Sequence, residues 1–213
     1  MFQDRDDAGQ QLAKAVAEAM PDNPVVLALP RGGVPLAAAV AGALGAPLDL
    51  VLVRKIGMPG HEELAAGAIV DGSTPVTLFN TAILRAAGLS EADFAGRIEA
   101  LKQEIEARRA RYLPGRAPVP VAGRTAIIVD DGIATGATVR VAIRALRAQA
   151  PAAVWVAVPV APADMVPQLE AETDRLICLE TPQEFWAVGA HYRTFGQVED
   201  AAVIASLRAF DKG

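Results

Sequence analysis

Short apolar runs alternate with amphipathic stretches along most of the chain. Residues 25–29, 126–129 and 153–158 are too short for helices and lack the polar alternation of half-wet strands, which predicts strands buried on both faces. Two similar runs, 48–53 and 175–179, carry one charge each, Asp49 and Arg175. Between them lie helical patterns. Residues 7–20 place Leu12, Ala13 and Val16 on one side, and 34–45 form an alanine-rich buried helix. After 135, Val139, Ile143 and Leu146 recur at i, i+4 and i+7 beside a stripe of Arg140, Arg144 and Arg147. A weaker helix is expected around 163–172 and a closing one over 200–210. Strands alternating with helices through right-handed crossovers predict an α/β fold, a mainly parallel twisted sheet flanked by helices on both faces. Ligands of such sheets gather at the carboxyl ends of the strands.

The stretch between the second and third buried runs departs from this rhythm. Residues 66–70 and 75–79, separated by Asp71-Gly72-Ser73-Thr74, predict a hairpin. Asn80 caps a short helix that Gly88 stops, and Ser90 with Asp93 makes an acidic variant of a capping box opening a helix to about 112. Phe94, Ile98, Leu101, Ile105 and Tyr112 give that helix its apolar face, with Glu99, Lys102, Glu106 and Arg109 on a wet one. Arg108, Arg109 and Arg111 have acidic neighbours and read as a solvated face, not a nucleic-acid surface. The expected organisation is an α/β domain over 1–179, with the hairpin and a helical insertion at about 66–120, and a small C-terminal hood and closing helix over 180–213. The insertion is a candidate for contacts in a homodimer.

Composition narrows the classes. At 213 residues, 52% hydrophobic and 21% charged, the chain buries a sizeable core. A net charge of -5 and a pI near 5.1 argue against nucleic acid as partner, so an anionic substrate must be met by a local basic pocket. Mean hydropathy is +0.28, yet the longest uncharged apolar stretch, 34–48, contains Pro35 and Pro47 and is shorter than the roughly 20 residues that span a bilayer. Asp4, Asp6 and Asp7 are unlike a secretory signal. The single Cys178 forms no internal disulfide, which fits a reducing cytoplasm.

The chemistry centres on residues 125–139. A buried strand ends in two adjacent carboxylates, Asp130 and Asp131, and Thr135-Gly136-Ala137-Thr138 then opens a helix. Small residues let the backbone approach a phosphate, and a helix start leaves N–H groups unpaired to bind it. The two aspartates repel phosphate but suit vicinal hydroxyls or a hydrated divalent cation. A sugar phosphate satisfies both halves. A second strand-to-helix turn, Pro30-Arg31-Gly32-Gly33, adds a guanidinium suited to pyrophosphate, and Arg54-Lys55 stand at the expected tip of the 48–53 strand. Residues 56–63, with turn signals at Pro59-Gly60, form the candidate lid; His61, Glu62 and Glu63 are read there as surface residues. In the tail, Trp186 is the candidate to stack on a planar ring.

IIVDDGIATGAT, residues 127–138, resembles the binding motif for phosphoribosyl pyrophosphate (PRPP) in type I phosphoribosyltransferases, and LPRGG, residues 29–33, resembles their pyrophosphate loop. The whole chain is most similar to a group known only as predicted phosphoribosyltransferases. The resemblance implies Mg²⁺-dependent displacement of pyrophosphate from PRPP by a nitrogen nucleophile, a base or related heterocycle, in nucleotide metabolism. It assigns the 5′-phosphate to Ala134, Thr135, Gly136, Ala137 and Thr138, and the pyrophosphate to Arg31, Gly32, Gly33, Arg54 and Lys55. The ribose and Mg²⁺ fall to Asp130 and Asp131, directly or through water. Asp130, Asp131, Lys55 and Arg31 form the catalytic set. Oxopurine members place a further aspartate where this chain has Ala134, so the resemblance does not extend to their proposed ring base. A PRPP- or nucleotide-sensing module and a nucleotide hydrolase on the same fold are the alternatives.

Overall fold

A computed structural model describes residues 1–72 and 75–210, without the side chains of Glu62 and Glu63. Five strands form one wholly parallel sheet: β1 (Pro24–Ala28), β2 (Leu48–Leu50), β6 (Thr125–Val129), β7 (Ala153–Val160) and β8 (Arg175–Glu180), in the order β2-β1-β6-β7-β8. The expected parallel sheet is therefore present. Alternate residues of β1 and β6 feed opposite cores, as the two-residue period of a strand requires. Val26, Ala28, Ile127 and Val129 pack with α1 (Arg5–Glu18) and α2 (Gly33–Leu44). Val25, Leu27, Ala126 and Ile128 pack with α5 (Ala137–Arg147) and Leu169 of α6 (Val166–Glu172).

The strand order reverses between β1 and β6, and these two strands are level: Pro24 pairs with Thr125 and Ala28 with Val129. Both loops thus leave the sheet side by side at the switch point, where α/β sheets hold ligands.

The chain from 53 to 112 builds a second sheet and two helices that share the core of the first. Strands β3 (Val53–Met58), β4 (His61–Val70) and β5 (Val76–Phe79) form an antiparallel sheet, followed by α3 (Thr81–Ala87), a short 3₁₀ turn (Glu91–Phe94) and α4 (Ala95–Tyr112). Pairing of β4 with β5 matches the expected hairpin, while Ser73 and Thr74 of its turn lie outside the described residues. The Asn80 cap and the Ser90–Asp93 capping box are both present. Phe94, Leu101, Ile105 and Tyr112 bury their apolar face within the chain's own core.

Two sequence expectations change here. The 48–53 run breaks after Leu50, so Arg54 and Lys55 are not at its tip but inside β3. The candidate lid over 56–63 is not an irregular loop: β3 and β4 pair as far as Met58 and His61, with register shifts around Gly57 and a turn at Pro59-Gly60. The turn falls where Pro59-Gly60 signal it, and pairing with β4 orders the residues on either side.

A third change concerns Arg109, expected on the wet face of α4. Its side chain is only 12% exposed, with Nη2 donating to Asp49 Oδ1 and Oδ2 (2.6 and 2.8 Å) and Nη1 to Asp71 Oδ2 (2.8 Å). Val119 N adds a bond to Asp49 (2.7 Å) and Leu52 N one to Asp71 (2.5 Å). Two buried carboxylates demand a cation, and Arg109 supplies it while clamping α4 to β2 and the end of β4.

After β8 the chain returns to its beginning. Phe2 N donates to His191 O and Arg193 N to Phe2 O, both at 2.9 Å, and the Phe2 and Tyr192 rings lie 5.4 Å apart. Helix α7 (Asp200–Phe210) then packs against α2 and α4. Among the described residues no helix is long and apolar enough to cross a membrane.

Arg109→Met leaves two buried carboxylates uncompensated and is expected to cost about 3–5 kcal/mol in urea unfolding; an unchanged midpoint would show the clamp to be dispensable. Burial pushes the Asp71 carboxyl up to about 6 against the pull of the Leu52 amide and Arg109. The folded state then holds this proton more tightly than the unfolded chain, so the stability from Asp71 is complete below about pH 4 and lost as pH rises through about 6. Unfolding at several pH values should show the wild type gaining about 2–3 kcal/mol on Asp71→Asn between about pH 7 and pH 4.

Candidate active site

Strand β6 delivers Asp130 and Asp131 to the sheet edge. Asp130 Oδ1 accepts from the Asp131 amide at 2.9 Å. Asp131 is held from two sides: its Oδ2 accepts from Arg5 Nε (2.8 Å) and its carbonyl from the Tyr192 hydroxyl (2.6 Å). Arg5 is itself fixed, lying 3.9 Å over the Phe195 ring and donating from Nη1 to Gly196 O at 2.7 Å. Burial first, and the Asp131 charge second, push the Asp130 carboxyl well above the usual carboxylate range.

The 30–33 turn lies directly against this pair. A Cβ built on Gly32 would sit 2.0 Å from Asp131 Oδ2, and one on Gly33 would sit 2.5 Å from Val129 O. Side chains at either position would drive the two loops apart. The Pro30–Arg31 peptide is cis. Arg31 extends from this turn, with Nη1 3.8 Å from Asp200 Oδ1.

On the other side of the aspartates, Ala134, Thr135, Gly136, Ala137 and Thr138 line one cavity of about 180 Å³ with Asp130. Gly136 takes φ +69° as the cap of α5, a conformation in which glycine avoids a steric penalty. The ladder of α5 opens with Arg140 N bonded to Gly136 O (2.9 Å), so the amides of Thr138 and Val139 precede it and face the loop. Exposed Thr135 and Thr138 hydroxyls complete a setting for a phosphate-sized anion.

The remaining predicted residues divide. Arg54 lines one cavity with Arg31 and lies 3.4 Å from Glu104. Lys55, its neighbour on β3, projects to the opposite face and is exposed. Trp186 is 89% exposed, two residues before Val188, which closes on Gly132. His61 is exposed, while the side chains of Glu62 and Glu63 lie outside the described residues. Cys178 is half-buried, and burial raises its thiol to about 11, consistent with an inert packing residue.

The sequence reading missed Arg5, Tyr192 and Asp200. Arg5 sits in a charged string that reads only as a helix start, and Tyr192 among tail aromatics. Their partners are more than 60 residues away or at opposite ends of the chain, a relation no local pattern carries.

A divalent cation fits this edge. Asp130 and Asp131 offer two adjacent carboxylates, the oxygen donors that a hydrated divalent ion takes.

Gly33→Ala is expected to cost roughly 1–3 kcal/mol, more than Gly32→Ala, because a backbone carbonyl cannot yield as the Asp131 side chain can. Urea midpoints of the two variants check the order.

The model of the phosphoribosyl transferase domain matches residues 4–193. Two curated proteins of Mycobacterium tuberculosis, from strains CDC 1551 and H37Rv and both named "Putative phosphoribosyl transferase", are 44% identical over 97% of this chain. The chain spans about half, 46%, of the length of each. The crystal structure of TT1426 from Thermus thermophilus is 42% identical and superposes with a TM-score of 0.83 over 98% of both chains. Asp130, Asp131 and the two loops that flank them therefore stand in a chain that belongs to the phosphoribosyl transferase domain family.

Proposed function

We propose that this chain transfers a 5-phosphoribosyl group from PRPP to a nitrogen nucleophile, with Mg²⁺ bound beside the substrate. The observation that supports this reading is the order of groups along one sheet edge: phosphate loop, paired carboxylates, arginine turn. PRPP presents its 5′-phosphate, ribose hydroxyls and pyrophosphate in the same order.

In this reading Ala134, Thr135, Gly136, Ala137 and Thr138 hold the 5′-phosphate through backbone amides and hydroxyls. Binding energy gained there, remote from the reacting bond, positions the ribose C1 carbon. Asp130 and Asp131 orient the ribose hydroxyls, and Arg5 and Tyr192 keep Asp131 in place for that role. As the C1–oxygen bond breaks, its electron pair leaves with the pyrophosphate, and the acceptor nitrogen forms the new bond from the other face of the ring, giving up the proton it carried to water. Arg31, with the Gly32 and Gly33 amides, stabilises the charge growing on the leaving group, and Arg54 lies next in line. Bound Mg²⁺ supplies further positive charge for the same purpose, held by Asp130 and Asp131 directly or through water. Lys55 reaches the phosphates only if the β3–β4 hairpin moves on binding, the part assigned to the lid. Exposed Trp186 gives a planar acceptor a stacking surface beside the hood.

Calorimetric titration of PRPP with and without Mg²⁺ tests the reading. Tight Mg²⁺-dependent binding is expected, weakened at least about 10-fold in Asp130→Asn and Asp131→Asn, the loss typical of a charged hydrogen bond. Equal binding by wild type and both variants would overturn it. With PRPP bound, a screen of bases by pyrophosphate release separates a transferase from a sensor, which shows no turnover, and from a nucleotide hydrolase, which needs no acceptor.

A further inference from the structure

Arg31 also lines a cavity of about 490 Å³ between the 30–33 turn, β3, α4 and the start of α7, whose lining does not include Asp131. Four arginines line it, Arg31, Arg54, Arg108 and Arg111, against two carboxylates, Glu104 and Asp200. This local excess of positive charge occurs in a chain of net charge -5. Glu104, Arg108 and Arg111 fall at i, i+4 and i+7 on α4 and so share one face of the helix.

The arginines are positioned rather than loose. Asp200 lies 2.8 Å from Arg111 and 3.8 Å from Arg31, and accepts from the Tyr112 hydroxyl at 2.6 Å. Arg108 lies 5.4 Å over the Tyr112 ring with two nitrogens 3.3 and 3.4 Å from its hydroxyl. A single carboxylate is thus shared among several donors, which leaves guanidinium capacity for an incoming anion.

We propose that this cavity holds the third phosphoryl group of a linear condensed phosphate whose first two groups lie along the Arg31 turn. The assignment of those first two rests on the transferase reading above; the arginine cavity itself does not. Displacement at C1 puts the acceptor and the leaving pyrophosphate on opposite faces of the ribose. On the transferase reading a cavity lined by Arg31 therefore continues on the leaving-group side; independently of that reading, four arginines against two carboxylates select a phosphate chain. Such a chain is supplied either as free inorganic polyphosphate or as a nucleoside triphosphate, and in both forms it competes with PRPP.

Calorimetric titration of the full chain with pyrophosphate, tripolyphosphate and ATP, and with PRPP plus Mg²⁺, tests the proposal. Tripolyphosphate is expected to bind at least about 10-fold tighter than pyrophosphate, the increment of an added charged hydrogen bond, and to weaken as salt is raised. Arg108→Gln and Arg111→Gln each lower tripolyphosphate affinity about 10-fold and leave pyrophosphate and PRPP within about 2-fold. Glu104→Gln, which removes a repelling charge, tightens tripolyphosphate, a gain that misfolding cannot imitate. Tripolyphosphate no tighter than pyrophosphate, or an equal loss for all three ligands in the arginine variants, overturns the proposal. PRPP failing to bind while tripolyphosphate keeps its dependence on Arg108 and Arg111 would defeat the transferase reading and leave the cavity's assignment standing. ATP matching tripolyphosphate identifies a nucleoside triphosphate as the source; ATP much weaker identifies the free chain.

Discussion

Because β1 and β6 are level neighbours in a parallel sheet, the chain leaves that sheet twice at one height, and two loops distant in sequence must share the space above it. They share it because residues 32 and 33 have no side chains: the backbone there runs against the Asp131 carboxylate and the Val129 carbonyl, and a methyl group at either position would overlap them. The rest of the site follows from this contact. It fixes the spacing between the arginine turn and the aspartates, and, through the short loop to α5, between the aspartates and the cavity at the start of that helix.

The two aspartates are held differently although they are adjacent. Arg5 neutralises Asp131 and Tyr192 anchors its backbone, whereas Asp130 is half-buried beside a like charge, accepting from a backbone amide and with Arg5 acting on it through the field alone. Fixing one carboxylate from outside the loop and leaving the other electrostatically unsatisfied suits a ligand that brings both hydroxyls and positive charge. The helix at the beginning of the chain and the segment after β8 therefore serve the same few atoms.

Much of the fold was legible because buried parallel strands announce themselves as unbroken apolar runs. Residues 126–129, the i, i+4, i+7 series in α5 and the cap at Asn80 carry their own local explanation. The cavity-lining loop before α5 was legible because its small residues at a helix start are contiguous. What escaped is what depends on partners across the fold. Arg109 read as solvated because helical periodicity cannot see Asp49 and Asp71, although a lone aspartate inside an apolar strand was a sign that some cation would have to be buried. Arg54 and Lys55 looked like a pair, but strand alternation sends them to opposite faces once the 48–53 run breaks early.

Helix α4 joins two demands that proteins usually keep apart. Arg109 fastens it to the buried carboxylates of β2 and the end of β4, while its neighbours on another face of the same helix look into open space beside the arginine turn. The anchor is intolerant of change and the outward positions are not, so residues 104, 108 and 111 form a register whose spelling can drift while its frame stays put. In such an arrangement relatives sharing this scaffold can diverge in the anions they admit by exchanging a few side chains of one helix face, with no cost to the sheet.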